Sequence, residues 1–268
     1  MMTVVCTKDD SHDLFRLMIC NPSPLYLFAI PTGTPLLWCC YRRQGVLAKL
    51  LLHNYSANIT VRANSGDTPL TASASVGSAG LIQLLMATAR QRLENAENAL
   101  LAGSEEAEEG KGAVAAAAGI GNLKAFVDAQ NTSGYSALLW AADRGHVKAA
   151  AALLEGGASL SLTTTDGDTP LHVASNNGRL EMVKFLLSKG ADVDQTNRGG
   201  DTALHGSAME GHSKVTALLL RSGAGEEVMN GAGQTAYDLA VYWSTDTVVF
   251  VKYRAWRKKE NLRLSAMM

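Results

Sequence analysis

The chain has 268 residues, of which 47% are hydrophobic and 18% charged; that is enough apolar material for one extended domain or two small ones, and it excludes wholesale disorder. Lys plus Arg number 24 against 25 Asp plus Glu, and the net charge of −1 argues against a generally basic nucleic-acid binder. Aromatics are only 6% while alanine and leucine are plentiful, which leans towards helices in close contact.

The first residues, MMTVVCTKDDSHD, lack a basic start followed by a long apolar stretch, so no secretory signal is read there. Residues 1–29 are expected to be an N-terminal capping segment, with a helix over 13–20 (DLFRLMIC) covering the first structural unit. Cys6, Cys20, Cys39 and Cys40 form no CxxC pair or spaced framework, so neither a zinc module nor a disulfide scaffold is expected. Adjacent Cys39 and Cys40 read as small packed residues. No run approaches the ~18 apolar residues of a membrane span. These features predict a reduced, cytoplasmic protein, with the nucleus also open to it.

From residue 30 the sequence repeats. Thr34-Pro35-Leu36 is followed by Leu51-Leu52, and Thr68-Pro69-Leu70 by Leu85-Met86. Residues 79–102 read as one helix, longer than a repeat needs, with Leu81, Leu84, Leu85, Leu93, Ala96 and Leu100 on a broad face. An acidic, glycine-bounded insertion follows at 103–110. It resembles a phosphate loop only faintly: six residues separate Gly103 from Gly110 where four are needed, and Gly112 stands where Ser or Thr would ligate magnesium. Gly110 and Gly121 then mark a degenerate unit with Gly112-Ala113-Val114 in place of Thr-Pro-Leu and a shortened second helix, so that 103–130 holds insertion plus degenerate repeat. Beyond it Gly134, Gly167, Gly200 and Gly233 recur every 33 residues, each followed two places on by Ser136, Thr169, Thr202 or Thr235. The count is seven units starting near residues 30, 63, 107, 131, 164, 197 and 230. Repeats one and two fill 30–102, and repeats four to seven fill 131–246. Residues 247–268 form a basic C-terminal capping helix or tail.

Local chemistry explains the pattern. Thr169 can accept a backbone N–H as a helix N-cap, and Pro170 suits the first turn because it has no N–H to lose. Gly145, Gly178 and Gly211 end that helix in the left-handed conformation. His172, echoed by His205, ties neighbouring turns by hydrogen bonds. Met182, Val183, Phe185, Leu186 and Leu187 make the stripe of a second helix ended by Gly190, and a turn-rich finger follows.

The run Thr169-Pro170-Leu171-His172-Val173-Ala174, weakened as Thr202 to Ser207, Ser136 to Ala141 and Thr235 to Ala240, resembles the ankyrin repeat over roughly residues 30–250. The resemblance implies an all-α solenoid of stacked helix-turn-helix units with short β-hairpin-like fingers. It also implies a concave groove, built from finger tips and first helices, that binds a partner protein. Carried over to this chain, the groove positions are Thr132, Ser133, Tyr135, Trp140, Asp143 and Arg144, then Thr165, Asp166, Asp168, Asn176 and Asn177. The next units supply Arg198, Asp201, Met209 and Glu210, then Gln234, Tyr242 and Trp243. Tyr135, Arg144, Tyr242 and Trp243 have the chemistry of interface anchors, although Tyr242 and Trp243 could equally pack under the C-terminal helix. Asp166, Asp168 and Asp201 suit a basic partner and suit ordinary turns equally well.

HExxH, GxSxG and a GxGxxG with its acid are all missing, and no Ser, His and Asp spacing singles out a triad. The expectation is a non-enzymatic, monomeric scaffold, adaptor or regulatory subunit with no cofactor and no metal, binding a protein and not a nucleic acid. The alternatives are an assembly chaperone holding one subunit of a larger complex, and a membrane-surface or calmodulin-responsive module run by the basic tail, where Lys252 to Arg263 carries six basic residues and one acid.

Overall fold

The computed structural model describes residues 35–101 and 120–267. The expected capping helix at 13–20, the acidic loop at 103–110 and the first helix of the degenerate unit lie outside the described residues. The described residues form thirteen helices: α1 (Pro35–Tyr41), α2 (Gly45–Asn54), α3 (Pro69–Ser75), α4 (Ala79–Leu101), α5 (Leu123–Val127), α6 (Ala137–Arg144), α7 (Val147–Glu155), α8 (Pro170–Asn176), α9 (Leu180–Ser188), α10 (Ala203–Met209), α11 (Ser213–Arg221), α12 (Ala236–Tyr242) and α13 (Val248–Met267). Extended pairing among them is limited to one antiparallel bridge, Met229 with Thr235.

The helices stand in two rows. First helices pack in the order α1, α3, α6, α8, α10, α12, and second helices in the order α2, α4, α7, α9, α11, α13. Short first helices of seven or eight residues cannot persist alone. Four of them start at a capping hydroxyl: Thr68 accepts from the Thr71 N–H, Ser136 from Leu139, Thr169 from His172 and Thr235 from Asp238. Small side chains then let neighbouring first helices close up. Ala74, Ala142 and Ser175 are wholly buried where the next unit packs. Between the rows, Leu138, Leu153, Leu171, Met182, Leu186, Leu204 and Leu219 join one continuous core. Each such side chain contributes about 1.5–3 kcal/mol by leaving water.

The helices on either side of the degenerate unit touch directly. Helix α3 packs directly on α6, and α4 on α7. The Thr132 N–H donates to the Ser65 carbonyl at 3.1 Å, as Thr165 does to Ser133 and Arg198 to Asp166 one unit on. Among the described residues six helix pairs therefore follow one another in contact. Of the degenerate unit, only the second helix falls within the described residues. Its short second helix, α5, lies against the long α4. At the C-terminal side α13 packs on α11 in the second-helix row, as the outer helix of the last pair.

Polar side chains cross every junction. His172 donates from Nε2 to the Asp201 carbonyl at 2.9 Å, while its Nδ1 accepts the Thr169 hydroxyl at 2.7 Å. His205 repeats this with Gln234 and Thr202. The last unit has no follower to reach, and Asp238 stands at this position, held below the usual carboxylate range by the Thr235 hydroxyl and N–H. A second set of bonds runs the other way, from the residue after a left-handed turn residue (Gly145, Gly178, Gly211 or Ser244) back to the preceding unit. His146 reaches the Ser75 carbonyl, Arg179 that of Asp143, His212 that of Asn176 and Thr245 that of Ala208.

Three tests follow from this packing. Gly134 has φ +76°, and a Cβ there would stand 2.6 Å from the Thr165 backbone nitrogen. Gly134→Ala is expected to cost about 2–4 kcal/mol in urea unfolding. Exchanging 103–119 for a glycine-serine linker of equal length is expected to leave the melting temperature within a few degrees, because α3 and α4 already pack directly on α6 and α7. The third concerns pH. Burial pushes the His172 pKa below its ordinary 6.5, so the unfolded chain takes up this proton before the folded one. Stability from this group is complete above pH 6.5 and declines as pH falls below it. Melting curves should show that decline, and it should be shallower in His172→Gln.

Candidate functional site: the concave finger groove

The fingers are joined by a ladder. Besides the backbone bonds above, the Gly231 N–H donates to the Gly199 carbonyl at 2.8 Å. Side chains add a rung at three junctions: Asn131 Nδ2 donates to Asp67, Asn197 to Asp168 and Asn230 to Asp201, each at 2.8 Å. The same asparagines fold their own turns, since Asn197 Oδ1 accepts from the Gly199 and Asp201 N–H groups. Asp168 and Asp201 are thus parts of the ladder, each with one carboxylate oxygen committed to its neighbour.

One junction departs from the pattern. Where Asp67, Asp168 and Asp201 follow their glycines, Tyr135 follows Gly134; where the paired asparagine belongs, Thr164 stands. Thr164 still folds its turn, accepting from the Asp166 and Asp168 N–H groups. No side-chain rung forms with Tyr135. The Tyr135 ring instead packs on Trp140, centroids 4.9 Å apart and tilted by 40°. The Arg144 guanidinium lies over the other end of this pair, 5.8 Å from the Trp140 centroid, and bonds the Asp143 carboxylate at 3.1 Å. Asn177 also donates to Asp143. Burial, with Asp143, Asp168 and Asp166 nearby, raises the Tyr135 pKa, so the phenol stays protonated at neutral pH and remains a donor. The result is a half-buried aromatic pair ringed by three carboxylates, one of which, Asp166, is exposed and makes no ion pair among the described residues.

The other expected groove residues are spread along the same surface. Arg198 and Glu210 are exposed, and Met209 and Gln234 are half-buried. Asn176 is turned against Gly206, where any Cβ would collide with its amide, and its buried Oδ1 accepts no hydrogen bond among the described residues. Tyr242 and Trp243 do not pack under α13. They are 71% and 56% exposed, in edge contact with each other, and Tyr237 takes the place beneath α13 by meeting Phe250 edge-on at 5.6 Å. Thr132, Ser133 and Thr165 are exposed at the tips.

Sequence reasoning overlooked Arg179, whose guanidinium holds the Asp143 carbonyl, and Thr164. The second was legible in the sequence: the departures at 135 and 164 fall in partner positions of adjacent repeats. A separate cleft of about 670 Å³ lies between the loop after α11 and α13, lined in part by Glu226, Tyr253 and Trp256. Among the described residues no group of His, Cys, Asp and Glu is placed to hold a metal, and no helix is long and apolar enough to cross a membrane.

Residues 96–197 match the family described as ankyrin repeats in three copies, and residues 199–230 match a further ankyrin repeat, together half the chain. The protein belongs to the ankyrin-repeat family, an all-helical solenoid whose members are generally protein–protein interaction modules. The first match begins on α4, so the segment between α4 and α5 carries repeat-like sequence. No curated protein matches the chain.

Proposed function

We propose that the chain acts as a scaffold, adaptor or regulatory subunit that holds a partner protein in the concave groove, without chemistry of its own. The binding centre is the Tyr135–Trp140 pair with Asp143, Arg144 and Asp166, and the partner presents a basic side chain to it. One observation carries the reading. At every other finger junction between Gly66 and Asn230 the position of Tyr135 is an aspartate locked to the next finger, and here alone it is an aromatic left half-exposed. An aromatic at the centre of a groove is the side chain most often responsible for binding energy. The carboxylates around it suit a lysine or arginine, which would lie against the rings as Arg144 already does. Nearby histidines are committed elsewhere: His146, His172, His205 and His212 each hold a main-chain carbonyl of a neighbouring unit.

The test restores the regular rung. In the double variant Tyr135→Asp, Thr164→Asn the junction takes on the pattern of its neighbours, so the melting temperature should be kept or raised. The partner captured from native cells by the wild-type chain should bind the variant at least about tenfold more weakly. Asp166→Lys alone should weaken it too, and more at low salt than at high salt. Equal capture by the wild type and by the folded double variant would refute the groove centre.

A further inference from the structure

The last helix pair leaves open a surface that every inner pair closes. Ala142, Ser175 and Ala208 face the following unit and are buried, but Val241, at the same place in α12, is 52% exposed. In the second row Met182 and Val215 are buried, whereas Val248 in α13 is 50% exposed. Leu186 and Leu219 are buried, and their counterpart is exposed Lys252. At 3.6 residues per turn, Val248, Val251, Lys252, Lys258 and Lys259 share one face of α13, opposite Val249, Phe250 and Tyr253, which pack inward. The end face is therefore a strip of valines running into lysines.

The cations of α13 divide by type and side. Arg254 and Arg257 both bond Glu226, at 2.9 and 3.3 Å. Lys252, Lys258 and Lys259 make no ion pair among the described residues. Asp238 and Asp246, the acids nearest the face, are engaged in capping: Asp238 accepts from Thr235 and Asp246 from the Val248 N–H.

We propose that this end face, Val241, Val248 and Val251 with Lys252, Lys258 and Lys259, docks the protein on an anionic phospholipid surface. Among the described side chains of α13 the free cations are lysines, which protein interfaces use sparingly, while Arg254 and Arg257, the better forks for a partner's carboxylate, are already spent on Glu226. Compact ammonium groups on long stems suit a layer of phosphate and carboxylate headgroups, and the valines suit shallow contact with the boundary beneath. A second copy apposed through the same face would set lysine against lysine. The groove centre lies units away, so this docking is independent of partner binding there.

The experiment is flotation of the full chain with vesicles of phosphatidylcholine alone and with vesicles in which part of it is replaced by phosphatidylserine. Binding is expected only to the second, and it is expected to fade at high salt. The triple variant Lys252→Glu, Lys258→Glu, Lys259→Glu should lower the partition at least about tenfold. Val248→Asp, Val251→Asp should lower it with all lysines in place, and matched melting curves would show both variants folded. Equal behaviour on the two vesicle types, or undiminished binding by the folded triple variant, would overturn the proposal. So would concentration-dependent self-association that Val248→Asp, Val251→Asp abolishes while no vesicle is bound.

Discussion

Each helix pair in this chain leaves polar and apolar groups that only its neighbour can satisfy. A first helix of seven residues has hardly more backbone hydrogen bonds than loose ends. Its capping turn is tied forward when His172 reaches the Asp201 carbonyl, and its last carbonyl is tied back when His212 reaches Asn176. The turn glycines serve both ends of this exchange. Gly178 supplies the left-handed bend, and the absence of a Cβ leaves room for the His212 ring, which would lie 2.7 Å from one. Stability is thus a property of junctions more than of units.

Because the junctions are so alike, a departure at one of them stands out physically. An aspartate–asparagine rung uses two side chains to hold two fingers together. At the Tyr135–Thr164 junction that rung is missing, and the fingers are held by the Thr165 N–H donating to the Ser133 carbonyl at 3.3 Å and by Gln130 Nε2 donating to the Thr163 carbonyl at 2.7 Å. The side chain released from structure is a tyrosine, and it meets Trp140 within a ring of carboxylates. The last described helix pair is a different kind of departure. It has Asp238 in place of the bridging histidine and leaves Val241 and Val248 uncovered.

The regular part of the molecule was readable from residue type and spacing. Capping hydroxyls, turn glycines and paired leucines recur at 33 residues because each answers a local demand repeated in every unit. The long α4 was readable as well, since its apolar face continues past the point where a repeat should end. Of the groove, positions could be read but not states. Asp168 and Asp201, which suited a basic partner and ordinary turns equally, are ladder members, while Tyr242 and Trp243, which could have been cap contacts, are exposed. Periodicity says where a side chain sits, and its partner comes from an adjacent repeat whose contact no single repeat encodes.

The unit count shows the same division. Glycine spacing and family likeness both place a degenerate repeat before residue 131, and only the fold shows that the helices on either side of it, α3 and α6, touch directly. By itself the sequence determined the family, the helical period and the junction chemistry, because these arise from contacts within a few residues or at one fixed offset. Tertiary structure decided which units touch, which acids are spent and which face stays open, because those depend on what lies across the junction, and at the end of a stack nothing does.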